Sequence, residues 1–175
     1  MAFVIEAEGN RLGIITDLGT YHAELVKSCQ DLDVLYLESN HDLEMLWEGP
    51  YPHRLKKRVA SDYGHLNNQQ AGALLKQLVS QRLQIVMLAH LSEQNNTPEL
   101  AFHEARKAIA DFPEIQLAVA PQHEPSVWVN VCSKVATPEA PHPRKGAEEE
   151  TPEPGNEDLS EMPLAVRHQV SLFTV

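Results

Sequence analysis

Four acid or imidazole side chains stand where an apolar segment ends or a helix begins. Asp17 ends LGIITD, Glu38 lies at the end of VLYLES, His90 ends IVMLAH, and His65 precedes the helical segment NNQQAGALLKQLVSQ. Carboxyl ends of neighbouring parallel strands meet at one edge of a sheet, so we expect these side chains to converge there. Because aspartate and histidine together suit a borderline divalent ion, the pattern predicts a zinc or manganese site.

Each residue also has a purely structural interpretation. Asp17 stands close to a glycine, as turn residues do, and Glu38 could cap the turn that follows it. His65 could be a helix cap or spacer, and His90 could be a hydrogen-bonded core histidine. We expect the histidines without such a position to lie on the surface: His22, His53, His103 and His123.

Strand-like and helical segments alternate over residues 1–135, which predicts an α/β fold. AFVIEA and LGIITD flank Gly9-Asn10 and predict a β-hairpin. Thr97 is the expected cap of a helix whose first residue is Pro98. Asn67 or Asn68 caps an earlier helix. Further strands are predicted for DVLYLES, LQIVMLAH, IQLAVA and SVWVNV.

The composition of the 175 residues limits the classes of function. A hydrophobic content of 42% suffices for a core, and no apolar run reaches the roughly 18 residues that span a bilayer. The N-terminal residues do not resemble a signal peptide, so we expect a cytoplasmic protein in which Cys29 and Cys132 are free thiols. The formal charge of −11 argues against a large nonspecific nucleic-acid surface, but not against a nuclease.

Composition changes near Val135. Residues 136–163 are rich in proline and acidic residues and poor in large apolar ones, which predicts a disordered linker. Residues 164–175, LAVRHQVSLFTV, are apolar again. The predicted organisation is therefore a folded segment at 1–135, a linker at 136–163 and an apolar C-terminal peptide at 164–175.

Several segments resemble a known family in their order and spacing. ITDLG, LESNHD, GPYPHRLKKRVASDYGHLNNQQA and LAHLSEQNNTPELA are similar to metallo-β-lactamase-fold hydrolases, most closely to the YycJ/WalJ-type exonucleases, over about residues 1–133. A more distant resemblance is to the tRNA 3′-processing endonuclease ribonuclease Z. The resemblance implies the second βαβ-type half of an αββα sandwich and a DNA exonuclease activity in repair or replication.

The same resemblance implies roles for individual residues. Asp17 matches the aspartate that bridges two metal ions, zinc or manganese, and His90 matches the last histidine ligand. Glu38 and His65 match the acid–histidine pair that delivers a proton to the leaving oxygen. His41 has a counterpart in the YycJ/WalJ-type branch, but no role can be assigned to it.

One family signature is absent from the sequence. The HxHxDH motif, which supplies most metal ligands in the first half of the fold, does not occur. We therefore expect an incomplete C-terminal half, with weak or no metal binding alone, that self-associates or needs its N-terminal half. A truncated product, a split subunit and a mis-assigned start all remain open.

Two further segments are candidates for binding. The run RLKKR places basic side chains near the expected site, where they could steer phosphate or simply form a solvated helix face. Those side chains are Arg54, Lys56, Lys57 and Arg58. QVSLF resembles the peptide that docks bacterial DNA enzymes on the β sliding clamp, with Gln169, Leu172 and Phe173 as contacts. Alternatively, this terminus adds a strand to the sheet edge.

Three functions remain open from the sequence. The first is the C-terminal half of a metal-dependent DNA exonuclease. The second is a catalytically inactive half-domain that acts as an interaction module. The third is a metal-dependent hydrolase of a small ester or thioester, because one fold hosts many chemistries.

Overall fold

The computed structural model describes residues 1–126, 129–131 and 169–170. The helices are α1 (Ala23–Ser28), α2 (Leu43–Glu48), α3 (His53–Val59), α4 (Asn68–Leu78) and α5 (Pro98–Ala108). The strands are β1 (Ala2–Ala7), β2 (Asn10–Ile15), β3 (Val34–Glu38), β4 (Ile85–Ala89), β5 (Gln116–Val119), β6 (Val129–Asn130) and β7 (Gln169–Val170). The predicted α/β class is confirmed.

Strands β1 to β5 form one mixed sheet in chain order. β1 pairs antiparallel with β2, and β2, β3, β4 and β5 pair in parallel. Parallel neighbours require crossover connections, and right-handed crossovers between strands in sequential order put every connecting helix on the same face. The order of the sheet therefore leaves the two faces with different coverings.

The helix-covered face holds the main core. Leu35, Leu37, Val86 and Leu88 project from the central strands and are almost completely buried. They pack in one cluster with apolar residues of α4 and α5, such as Leu74, Leu75, Leu78, Ala101 and Ala105. Burial of this kind contributes roughly 25 cal/mol per Å² of apolar surface, so this face supplies most of the hydrophobic stabilisation.

The second face is apolar but differently covered. Tyr36 and Met87 belong to one cluster on it, and Val34 and Ile85 to another. Neither cluster includes a residue from the described helices. At the β1 edge, Phe3 and Ile5 alternate with the core residue Val4 and remain about half exposed. Tyr36, Met87, Val34 and Ile85 are themselves buried, so the exposed apolar surface among the described residues of this face lies at the β1 edge.

Local signals in the sequence account for the helix starts. The Asn67 side chain accepts a hydrogen bond from Gln70 N in a capping box, which decides between Asn67 and Asn68 as the cap of α4. Thr97 Oγ1 accepts from Leu100 N and Pro98 is the first residue of α5, as predicted. The start of α4 places the adjoining His65 at the sheet edge.

Two predictions of detail differ from the structure. The β1–β2 hairpin is confirmed, but its turn residues are Glu8 and Gly9, with φ of 50° and 80°, and Asn10 already belongs to β2. Positive φ at both central residues is typical of a type I′ turn, which matches the strand twist. The SVWVNV strand is described only at 129–130, where it pairs antiparallel with 169–170 outside the main sheet.

The remaining predictions about organisation have mixed outcomes. None of the described helices is both long and apolar enough to cross a membrane. Cys29 is a buried free thiol, while Cys132 lies outside the described residues. His22, His53, His103 and His123 are exposed, as expected. The linker at 136–163 and most of the peptide at 164–175 also lie outside the described residues, so the predicted domain boundaries stay predictions.

Candidate metal centre

Three adjacent parallel strands carry the candidate ligands at their carboxyl ends. Glu38 is the last residue of β3, which lies between β2 and β4. Ile15 pairs with Leu37, and Glu38 pairs with Ala89. By this register, Asp17 and His90 stand level with each other, one step beyond Glu38.

The backbone turns sharply at both flanking positions. Asp17 and His90 each have a φ of 55°, in the left-handed region, where an ordinary L-residue costs of order 1 kcal/mol or more. Besides glycine, the only other described residues with positive φ are Glu8 and Asp31. The two unfavourable conformations thus fall on the two strand ends that flank Glu38, where the side chains meet.

The side chains of Asp17, Glu38 and His90 converge into one group. Each offers one ligand atom, and these atoms all lie within 4.8 Å of one another. Asp17 Oδ1 lies 3.6 Å from His90 Nδ1, and the Asp17 side chain is about half exposed. Two carboxylates and one imidazole with a solvent-facing side fit a single divalent ion that keeps an open position.

His65 joins the group through Glu38. Its Nδ1 lies 2.6 Å from Glu38 Oε1 and 4.0 Å from Asp17 Oδ1. The hydrogen bond that His65 donates to Glu38 raises the pKa of His65, opposed by partial burial, and the charges of Glu38 and Asp17 add to the increase. This raised pKa favours a protonated His65, which suits a proton donor.

Glu38 is both buried and hydrogen-bonded through its two oxygens, a combination that the sequence did not indicate. Its side chain is completely buried, and its other oxygen, Oε2, accepts a hydrogen bond from Leu18 N at 3.0 Å. Both oxygens are therefore engaged, and each keeps a further lone pair that an ion could use. Glu38 can orient His65 and contribute to the metal ligands at the same time.

Close backbone packing holds the loops that carry Asp17 and His65. A Cβ added at Gly19 would lie 2.2 Å from Ser61 O, and one added at Gly64 would lie 2.0 Å from Val59 O. Only glycine permits these approaches. The Asp17 loop and the segment before His65 are thereby packed against each other.

His41 lies behind the site, where it contributes to positioning. It is completely buried, and its Nδ1 lies 3.4 Å from Asn40 Oδ1. The amide Nδ2 of Asn40 donates to the His90 carbonyl oxygen at 2.8 Å, next to the left-handed turn. Burial lowers the pKa of His41 to about 4, helped by the charge of nearby His65. His41 is therefore neutral and linked through Asn40 to His90.

A buried amide network, which the sequence analysis missed, joins β3 to the starts of α4 and α5. Ser39 Oγ donates to Asn68 Oδ1 at 2.7 Å, and Asn68 and Asn96 are linked by hydrogen bonds of 2.9 Å. Asn96 Nδ2 also donates to the Ser39 carbonyl oxygen at 2.8 Å. The available signal was an Asn-Asn pair at each helix start. Satisfied buried networks of this kind fix relative positions.

The predicted basic residues lie on α3 but are not equally placed. Arg54, Lys57 and Arg58 are exposed, and the charge of Arg58 is close enough to lower the pKa of His65. Lys56 Nζ instead donates to the Trp47 carbonyl oxygen at 2.7 Å. Arg58 therefore acts on the site through its charge, whereas Lys56 is hydrogen-bonded to the end of α2. Of the predicted clamp contacts, Leu172 and Phe173 lie outside the described residues, and Gln169 belongs to β7.

Comparison with known proteins gives relatives of one kind. No protein-family model matches the chain. The chain is 35% identical over 101 residues to exodeoxyribonuclease YycJ of Bacillus anthracis, covering 58% of this chain and 38% of that protein. It is 36% identical over 88 residues to exodeoxyribonuclease WalJ from strains of Streptococcus pneumoniae, covering 50% of this chain and 33% of those proteins.

The chain thus matches between a third and two fifths of the length of these curated relatives. The alignments cover between 50% and 58% of this chain. The resemblance to the YycJ/WalJ-type branch of metallo-β-lactamase-fold hydrolases is therefore confirmed.

Proposed function

We propose that this chain is the C-terminal part of a metal-dependent phosphodiesterase that acts on DNA as an exonuclease in cytoplasmic repair or replication. The observation that carries the proposal is the convergence of Asp17, Glu38 and His90 at the carboxyl edge of the sheet, with His65 hydrogen-bonded to Glu38. The names of the relatives, exodeoxyribonucleases, supply the substrate class.

In this proposal Asp17 and His90 are the primary metal ligands, with Glu38 as a further oxygen donor. A bound zinc or manganese ion would supply Lewis-acid activation of water and neutralise phosphate charge. Asp17, the exposed ligand of the three, would reach the ion from the solvent side. Glu38, which is fully buried, would keep its carboxylate fixed through Leu18 N and His65.

His65 delivers the proton to the leaving oxygen. Its Nδ1 faces Glu38, so Nε2 is the nitrogen left to donate. The raised pKa favours the protonated ring, and the nearby charge of Arg58 would attract phosphate. The basic side chains of α3, Arg54 and Lys57 with Arg58, steer the DNA backbone toward the edge.

The remaining ligands, including those of the two-ion site found in the family, come from residues outside this sequence. The missing half would pack on the second face of the sheet, as a second sheet of an αββα sandwich, and would have to join it at the β1 edge, because Tyr36, Met87, Val34 and Ile85 are buried. Phe3 and Ile5, about half exposed at the β1 edge, are available for such packing. Sedimentation of the chain alone should show self-association, and a strictly monomeric chain that melts cooperatively would argue against an incomplete sandwich.

A matched pair of variants tests the enzymatic function. Asp17 and Asp31 are both exposed aspartates with left-handed backbone, φ 55° and 54°, so asparagine is tolerated equally at both positions. We expect no digestion of end-labelled DNA by the chain alone with Mn²⁺. Digestion should appear after addition of the N-terminal part of a relative. Asp17→Asn should lower it at least about 100-fold, and Asp31→Asn should leave it unchanged.

Three outcomes separate the alternatives. Equal activity in Asp17→Asn and wild type assigns the digestion to a contaminant or another site. Cleavage of generic esters or thioesters in place of DNA favours the small-substrate hydrolase. Complete inactivity with a properly assembled partner favours the interaction module.

We also propose that the C-terminal peptide docks on a sliding clamp. Leu172 and Phe173 would fill an apolar pocket and Gln169 would bond at its edge. A peptide of residues 164–175 should bind the clamp with micromolar affinity, about −8 kcal/mol. Replacing both apolar contacts by alanine should remove binding, and absence of any signal for the wild-type peptide would leave strand addition as the role of this segment.

A further inference from the structure

A cleft of about 390 Å³ opens directly beside the candidate metal centre. His65 lies on its wall and is therefore shared between the cleft and the centre. Tyr51, Leu55 and Val59 line one part of it, and the loop after β4, including Gln94, lines another. Its volume falls within the range of roughly 300–1,000 Å³ that is usual for small-ligand sites.

The lining suits a flat, uncharged group with hydrogen-bonding edges. Tyr51 and Leu55 supply aromatic and apolar surface, while Ser92 and Gln94 supply hydroxyl and amide groups. Glu93 on the same wall carries a carboxylate 3.0 Å from His123 Nε2, both largely exposed, and this carboxylate repels phosphate. Phosphate is favoured on the side of Arg58, and a metal ion bound at the centre would favour it further. The charges therefore favour the base of a nucleotide in the cleft and its phosphate outside the cleft.

Because the cleft and the centre share His65, one substrate can occupy both. A phosphodiester at the centre would present its leaving oxygen to His65, and the nucleoside attached to that oxygen would extend into the cleft. We propose that the cleft binds one unpaired nucleobase of a DNA end, next to the phosphodiester that is cleaved. This inference rests on the proposed function and adds to it the form of the substrate: a base taken out of the helical stack.

The test compares two short DNA probes on the full chain in EDTA, so that neither metal nor cleavage contributes. One probe is the dinucleotide d(TpT), and the other carries an abasic tetrahydrofuran in place of the nucleoside on the 3′-oxygen side. Amide shifts in two-dimensional NMR report affinity and location. We expect d(TpT) to bind about 5-fold or more tightly than the abasic probe, with shifts at Tyr51 and Gln94.

Two variants and a matched control localise the effect. Tyr51→Ala should reduce d(TpT) affinity to that of the abasic probe. Gln94→Ala, at an exposed position that does not threaten folding, should reduce it in the same direction by a smaller factor. Tyr63→Ala is the control, because Tyr63 is 94% exposed and does not line the cleft. It should bind both probes as wild type does.

The outcomes distinguish this inference from the proposed function. Equal affinity for the two probes, or equal losses in Tyr51→Ala and Tyr63→Ala, overturns the base-binding cleft. If Asp17-dependent DNA cleavage is nevertheless observed, the proposed function stands without it. Binding of neither probe also overturns the cleft, and loss of Asp17-dependent cleavage as well would overturn both.

Discussion

Strand β3 has a completely buried carboxylate at each end, and the two are treated in opposite ways. Asp33, just before the strand, accepts from Arg11 N at 2.8 Å and from Arg82 Nη2 at 2.5 Å. Glu38, the last residue of the strand, accepts from Leu18 N and faces His65 and Asp17, with no arginine or lysine paired to it among the described residues.

The difference indicates a structural role for Asp33, and it supports the functional role that we propose for Glu38. Arg82 carries a permanent charge, so the ionic partner of Asp33 does not depend on pH. The only cationic partner of Glu38 in the described part of the chain is a histidine, whose charge depends on pH. The carboxylate at the amino end of the strand is therefore paired with a permanent cation. The carboxyl end has an excess of negative charge that a metal ion can neutralise.

The two ends of β3 should differ most in their effect on metal affinity. In calorimetry with Mn²⁺ or Zn²⁺, the chain should bind weakly, because Asp17 and His90 are its two primary ligands and Glu38 is also hydrogen-bonded to Leu18 N and His65, whereas a zinc site normally has three or four protein ligands. Asp17→Asn or His90→Asn should lower the affinity at least about tenfold, a change that Asp33→Asn should not produce. Asparagine is chosen because it tolerates the left-handed backbone at Asp17 and His90. His22→Asn, at an exposed histidine, is the control for His90→Asn.

A metal affinity that survives Asp17→Asn and His90→Asn but falls in Asp33→Asn would reverse the assignment. The ion would then belong to the amino end of the sheet.

For stability, in contrast, a substitution at the amino end of β3 should have the larger effect. Asp33→Asn leaves the half-exposed Arg82 without its counter-ion, so we expect the free energy of unfolding to fall by about 2 kcal/mol. Glu38→Gln keeps an acceptor for Leu18 N and removes a buried charge without a permanent partner. Its cost should be less than about 1 kcal/mol. Urea unfolding measures both, and a larger loss in Glu38→Gln would show that the carboxyl edge is also a structural ion pair.

The carboxyl edge was predictable from sequence and the amino edge was not. Asp17, Glu38 and His90 follow apolar strands, so their convergence follows from parallel pairing of neighbours. Asp33 and Arg82 are 49 residues apart, and no periodicity links them. Their contact depends on which strands become neighbours. The Asn40 link to His90 and the amide network of Asn68 were missed for the same reason, because neither a single asparagine nor an Asn-Asn pair indicates its partners before the tertiary fold is known.

The acid dependence of stability should single out His41. Its pKa is about 4 in the folded protein and near 6.5 when unfolded, so between these values the unfolded chain binds a proton that the folded chain does not. Stability therefore falls as pH falls from about 6.5 to 4. His41→Asn should flatten this dependence by up to about 1.4 kcal/mol per pH unit. His53→Asn, at an exposed histidine, should leave it unchanged, and an identical slope in His41→Asn would contradict the burial of a neutral ring.

The smallest expected effect is a shift in the titration of His65. It tests whether His65 is the cationic partner of Glu38. The folded pKa of His65 is raised, chiefly by the hydrogen bond to Glu38, so this pair stabilises the fold below pH 6.5 and loses that contribution as pH rises through the folded pKa. NMR titration of the metal-free chain should place the His65 pKa above 6.5. Glu38→Gln should bring it to 6.5 or below, because burial then dominates, and Asp33→Asn should leave it raised. Unchanged titration in Glu38→Gln would mean that His65 is not the counter-ion of Glu38. If the shift is found, His65 at the carboxyl end does reversibly what Arg82 does permanently at the amino end. A carboxylate whose partner is a histidine can exchange that partner for a metal ion, and the histidine can give its proton to a substrate. A carboxylate paired with arginine can do neither.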